Sequence, residues 1–157
     1  MPTEEDQALR KRLVRHLNGG EAFSPIDRVL ERVSLHQVGI VPDGLPYSFY
    51  QQFWHIRFAQ YDILEYCRGS AYQAPEWPDD YWPEVTAPES GEEWKKLKER
   101  YFEDRRDLRE MILDPSNDLF KPFASDHDHT LLREAELVIE HTAYHTGQLY
   151  VIERLVD

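Results

Sequence analysis

Apolar residues return along this chain at three- and four-residue spacing, the period of an α-helix, in four long runs. Leu9, Leu13, Val14 and Leu17 carry the first, and Phe49, Phe53, Ile56, Ala59, Ile63 and Tyr66 the second. Trp94, Leu97, Tyr101, Leu108, Met111 and Ile112 carry the third. Ala135, Val138, Ile139, Thr142, Leu149 and Ile152 carry the fourth. A shorter run, Ile26, Val29, Leu30 and Val33, predicts an extra helix between the first two. No stretch alternates apolar and polar residues between hairpin-type turns, so no strand is predicted.

Boundary residues agree with these runs. Thr3 followed by Glu4, Glu5 and Asp6 is a cap with acids in the first turn, and Asn18-Gly19-Gly20 is a stop. Ser24-Pro25-Ile26-Asp27 places Ser24 at a cap and Pro25 at the first helical position. Val38 to Pro46 is a connector broken by Gly39, Pro42, Gly44 and Pro46. Ser48 with Gln51, and Ser90 with Glu93, match capping boxes. Gly69 ends the second long helix, Asp114-Pro115 the third, and the fourth begins near Thr130. The expected fold is all-α: a four-helix bundle with one extra short helix and long connectors, in a single domain over residues 1–157.

Candidate chemistry sits on the last run. His141 and His145 are four apart, so they rise one turn apart from the apolar face of one helix. Such imidazoles are either buried and hydrogen-bonded or they hold something. His55 flanks the apolar face of the second helix, beside Gln52, Ala59 and Asp62, and is placed to enter a helix–helix interface. Three imidazoles from two helices would hold one divalent ion and leave positions open to water or substrate. Glu140 precedes His141 and Thr142 follows it, which is not the zinc-protease pattern. Gln148, one turn past His145, is a candidate hydrogen-bond partner for it. His16 and His36 read as surface or cap residues, and Asp126-His127-Asp128-His129 reads as a cap and solvated loop before the fourth helix rather than a metal site.

The connector from Gly69 to Ser90 holds Pro75, Pro78, Pro83 and Pro88 together with Tyr72, Trp77, Tyr81 and Trp82. No helix survives that proline density, and structureless loops beyond about 12–15 residues are uncommon in compact domains. Its aromatics must dock, either as packing over the bundle or as a lid over a pocket.

Composition narrows the classes. Hydrophobic residues make up 41% of 157, which places the chain among globular proteins. A net charge of -12 repels phosphate backbones and argues against nucleic-acid and anionic-membrane partners. Arg10-Lys11-Arg12 lies among acids and reads as a solvated face. The single cysteine, Cys67, allows no intramolecular disulfide and reads as a small packed residue. With no apolar segment in Met-Pro-Thr-Glu-Glu-Asp and no run of roughly 20 apolar residues, a cytoplasmic location is expected.

His141-Thr142-Ala143-Tyr144-His145-Thr146-Gly147-Gln148-Leu149 resembles the C-terminal signature of the DinB-like superfamily, His-x-x-Tyr-His-x-Gly-Gln-Leu/Ile. Phe53-Trp54-His55-Ile56 is similar to that family's earlier histidine element. Leu45-Pro46-Tyr47-Ser48, Pro75-Glu76-Trp77-Pro78 and Thr130 to Ala135 extend the likeness over most of the chain from Leu45 onward. The resemblance implies a four-helix bundle in which His55, His141 and His145 bind a divalent metal, and imidazole chemistry admits zinc, nickel or iron without selecting among them. It also implies a homodimer and a small-molecule substrate. Members include transferases and isomerases that use bacillithiol, mycothiol or glutathione, and others described as metal-dependent hydrolases. A low-molecular-weight thiol is thus a candidate co-substrate. The competing reading is a stress-related bundle that holds a metal or ligand without turnover. Asp62, Glu140 and Tyr144 are candidate general bases among which no spacing selects.

Overall fold

The structure, a computed structural model, describes residues 3–69, 71–124 and 128–157. Its long helices are α1 (Glu4–Asn18), α4 (Phe49–Arg68), α5 (Gly91–Leu113) and α6 (Leu131–Leu155). Two short ones, α2 (Ile26–Arg32) and α3 (Leu35–Val38), lie between α1 and α4, and a 3-10 turn spans Asp79–Tyr81. The chain is therefore all-α, and no strand occurs among the described residues. None of the described helices is long and apolar enough to cross a membrane.

Each long helix starts where a side chain satisfies its free amides. The Thr3 hydroxyl accepts from Asp6 N, and that of Thr130 from Arg133 N. Ser48 and Gln51 form the full reciprocal box at α4. At α5 only half of the expected box forms. Ser90 accepts from Glu93 N, but the Glu93 carboxylate turns away to the Glu89 amide and to the Tyr50 hydroxyl. Pro25, not Ser24, is the cap residue of α2, because its extended ψ of 155° delays the helix to Ile26. The connector expected from Val38 begins one residue later, at Gly39, and is preceded by a second short helix that was not expected, α3, for which Ser34 and Gln37 build a capping box. Gly69 closes α4 in the left-handed conformation at φ 75°.

Helix α4 packs between α5 and α6, and α1 packs on the opposite side of the same two helices. The core falls into two clusters. One joins α2, Val38, the first half of α4 (Phe49, Phe53, Ile56), the first half of α5 (Trp94, Leu97, Tyr101) and the last turns of α6 (Leu149, Ile152). The other joins α1 with the second halves of α4 and α5 and the start of α6. So α4 and α5 run the same way and α6 runs against them. A parallel neighbour requires the chain to return along the whole length of α4, about 30 Å at 1.5 Å per residue. The segment between Gly69 and Ser90 is that return strap.

Three sequence expectations need correction. The buried seam of α4 runs Phe49, Phe53, Ile56, Gln60, Leu64, Cys67, whereas Ile63 and Tyr66 are half-buried. Following apolar letters alone drifts off the seam at Gln60, which is buried because its amide donates to the Tyr101 carbonyl at 2.9 Å. Met111 is likewise half-buried beside buried Ile112. Arg10 is not part of a solvated face: it is 5% exposed. Its guanidinium donates to the carbonyls of Ile112 (2.7 Å), Asp114 (3.0 Å) and Asn117 (2.8 Å), satisfying the C-terminal end of α5.

Candidate metal centre

Mid-bundle, where the two core clusters meet, α4 and α6 face each other with histidines. His55 is 2% and His145 8% exposed; His141 is half-buried. The three ring centroids lie 4.5–4.7 Å apart. One ligating nitrogen from each ring falls within 4.8 Å of the others. His55 Nε2 and His141 Nε2 are 2.9 Å apart. The three sequence candidates are therefore brought together.

Neighbouring groups fix which nitrogen faces the cluster in two of the rings, His55 and His145. His55 Nδ1–H donates to the Tyr81 carbonyl at 2.9 Å, leaving Nε2 as the lone pair. His145 Nδ1 has two amide oxygens in reach, Gln52 Oε1 at 2.8 Å and Gln148 Oε1 at 2.6 Å. Amide oxygens only accept, so Nδ1 carries the proton and Nε2 is again the lone pair. The Gln148 amide in turn donates to the Tyr47 hydroxyl at 3.3 Å. Burial pushes all three imidazoles toward the neutral form, and their mutual repulsion adds to it for His141 and His145. His141 is pushed down to about 3 and His145 to about 4. Neutral imidazole is the form that ligates.

Three imidazole nitrogens within 4.8 Å of one another could hold a divalent ion. Two nitrogens bound at about 2.0–2.1 Å stand at most about 4 Å apart, and the His55–His141 separation of 2.9 Å lies inside that reach. Hydrogen-bonded Nδ1–H groups on two of the rings are what ligating histidines require of their surroundings.

The return strap roofs the cluster. Trp82 stacks on His55 at 3.9 Å with the rings 6° from parallel, and on Tyr47 at 6.1 Å. Trp77 stands 6.4 Å from the His55 ring and is 67% exposed. The strap is thus packed at Trp82 and open at Trp77. Asp62 clasps it: both carboxylate oxygens accept phenol protons, from Tyr72 at 2.6 Å and Tyr81 at 2.5 Å. That double duty gives Asp62 an anchoring role and removes it as a free base. Tyr144 sets its ring edge-on to His145 at 4.9 Å and faces outward, and Glu140 is exposed. An open groove of about 230 Å³ follows α6 past Gln148, lined by Leu45, Tyr47, Tyr144, Gly147, Val151 and Ile152. It carries no charged side chain.

Cys67 is buried, and burial pushes its thiol up to about 12, so it holds no thiolate near neutral pH. Of the acidic run before α6, Asp126 and His127 lie outside the described residues. His129 pairs with the Tyr66 hydroxyl at 3.1 Å. No role was read from the sequence for Gln52, Tyr47 or the Tyr81 carbonyl, although Gln52 was placed beside His55. Gln52 alone had a readable signal, as a polar residue three before His55 on an apolar stripe.

Residues 23–149 match the family model described as DinB superfamily. No curated protein and no solved structure gives a match.

Proposed function

The chain belongs to the DinB superfamily, and on that premise we propose that His55, His141 and His145 together hold one divalent metal ion in a metal-dependent enzyme acting on a small molecule. The reading is of a single-domain cytoplasmic homodimer of the thiol-dependent S-transferase or hydrolase kind. The observation that carries it is the convergence of three neutral imidazoles from two helices, two of them held in the ligating tautomer.

A divalent ion at such a site supplies a Lewis acid that lowers the pKa of bound water or thiol and polarises a bound oxygen or sulfur. The chain's own residues do the rest. The Tyr81 carbonyl orients His55, and Trp82 covers that ring and keeps water from its outer face. Gln148 ties His145 to Tyr47 at the head of the apolar groove, which suits an uncharged arm of the substrate. Trp77 and Tyr144 rim the open side. No protein nucleophile is needed, in keeping with an inert Cys67.

Metal analysis of protein purified without a metal-affinity tag tests this, run beside a His55→Ala/His141→Ala variant. We expect about one first-row ion per chain in the parent and none in the variant. No ion in either, after reconstitution with zinc, nickel and iron, overturns the reading. A screen of low-molecular-weight thiols against electrophiles, and of hydrolase substrates, then separates the two reaction classes.

A further inference from the structure

Gln52 is a wholly buried amide on α4, where Phe49, Phe53 and Ile56 are buried apolar neighbours and His55 and Gln60 are buried polar ones. Among the described residues its side chain makes one hydrogen bond, from His145 Nδ1–H to Oε1 at 2.8 Å. Its Nε2 is buried and has no partner among the described residues. Leaving two amide protons unpaired in a buried interface is costly. An apolar residue of similar size would avoid that cost. Turning the amide over would set its N–H2 against His145 Nδ1. That arrangement is satisfied only when Nδ1 is bare and the proton sits on Nε2, in the middle of the cluster.

We infer that Gln52 is a positioning residue that fixes the Nδ1–H tautomer of His145 across the α4–α6 interface, and so presents the Nε2 lone pair toward His55 and His141. This rests on the proposed reading only where it concerns metal affinity; the tautomer belongs to the protein alone. Gln148 accepts from the same proton but is half-buried and reaches it from within α6. Gln52 reaches it from the facing helix, so it also ties the spacing of His145 to that of His55 one turn away.

The test compares wild type with Gln52→Leu and Gln52→Glu in three measurements. These are the tautomer of His145 by nitrogen-15 NMR in metal-free protein, zinc affinity by competition with a chromophoric chelator, and the thermal midpoint. In wild type we expect Nδ1–H. In Gln52→Leu we expect a mixture of tautomers, zinc affinity roughly tenfold or more weaker, and a thermal midpoint that is kept or raised because the unpaired amide is gone. Glutamate still accepts from Nδ1–H and restores both the tautomer and the affinity. Nε2–H in wild type, or Nδ1–H unchanged in Gln52→Leu, overturns the inference even if zinc binds normally. A clear tautomer effect in a wild-type protein that takes up no zinc upholds Gln52 and overturns the metal reading instead. A lowered thermal midpoint with tautomer and affinity unchanged makes Gln52 a packing residue.

Discussion

His145 is the histidine held from two helices at once, by Gln52 of α4 and Gln148 of α6. On the proposed reading His145→Ala abolishes metal retention while far-UV circular dichroism keeps its helical amplitude. Unchanged metal stoichiometry in that variant would remove His145 from the ligand set. Arg10 tests a different kind of single-residue duty. It satisfies three backbone carbonyls, two at the end of α5 and that of Asn117 in the turn beyond it, so Arg10→Met should cost on the order of 3 kcal/mol in urea unfolding. Lysine should recover only part of that, because one ammonium cannot reproduce the guanidinium fork. These two residues mark what letters reveal. Imidazole announces its chemistry by type and spacing, so His55, His141 and His145 were legible. A buried arginine looks like any charged residue on an amphipathic helix until its acceptors are known. The acceptor for His55 is a backbone carbonyl, that of Tyr81, and every residue has one.

Among the elements, the return strap is the most constrained by its route. It is pinned at Asp62 by two phenols, at His55 by Trp82, at Ser48 through the Thr86 carbonyl, and at Gly39 by Ala87. A Cβ on Gly39 would sit 2.5 Å from the Ala87 Cβ. Gly39 has an ordinary φ of -91°, so the clash is purely steric. Gly39→Ala should therefore destabilise by about 1–3 kcal/mol, and most of that should vanish in an Ala87→Gly background. A double-mutant cycle showing additive effects would place the cost elsewhere. The order and type of the long helices were readable from period and caps. The direction of the strap was not, because proline and aromatic letters state that a segment is irregular and must dock, without stating where. Its destination follows from α4 and α5 running in parallel, a tertiary fact. For the same reason the choice between lid and packing had no sequence answer: Trp82 took one role and the exposed Trp77 is free for the other.

For the molecule as a whole, an ion pair fastens α2 to α5. Arg105 donates to both oxygens of Asp27 at 2.9 Å. Burial pushes the Asp27 carboxyl up, and the Arg105 bonds outweigh it, so its pKa lies below the ordinary 3.8. The folded value is the depressed one. This pair therefore stabilises fully above about pH 4, and its contribution is lost as pH falls toward the folded value. With Asp27 partly exposed, the amount is at most about 1 kcal/mol. Asp27→Asn should flatten the corresponding part of the stability profile in acid titrations of the denaturation midpoint. An unchanged slope would count against the pair. A larger consequence follows from the 2.9 Å approach of His55 to His141, residues 86 apart in the chain. An ion joining them is a cross-link closing a long loop, and a ligand of the folded state alone. Saturation at a hundred times its dissociation constant adds about 2.7 kcal/mol to unfolding. A chelator should then lower the melting temperature by several degrees without touching any residue of the core. The site would serve as a reversible staple, its hold on the two helices set by the concentration of free metal around it.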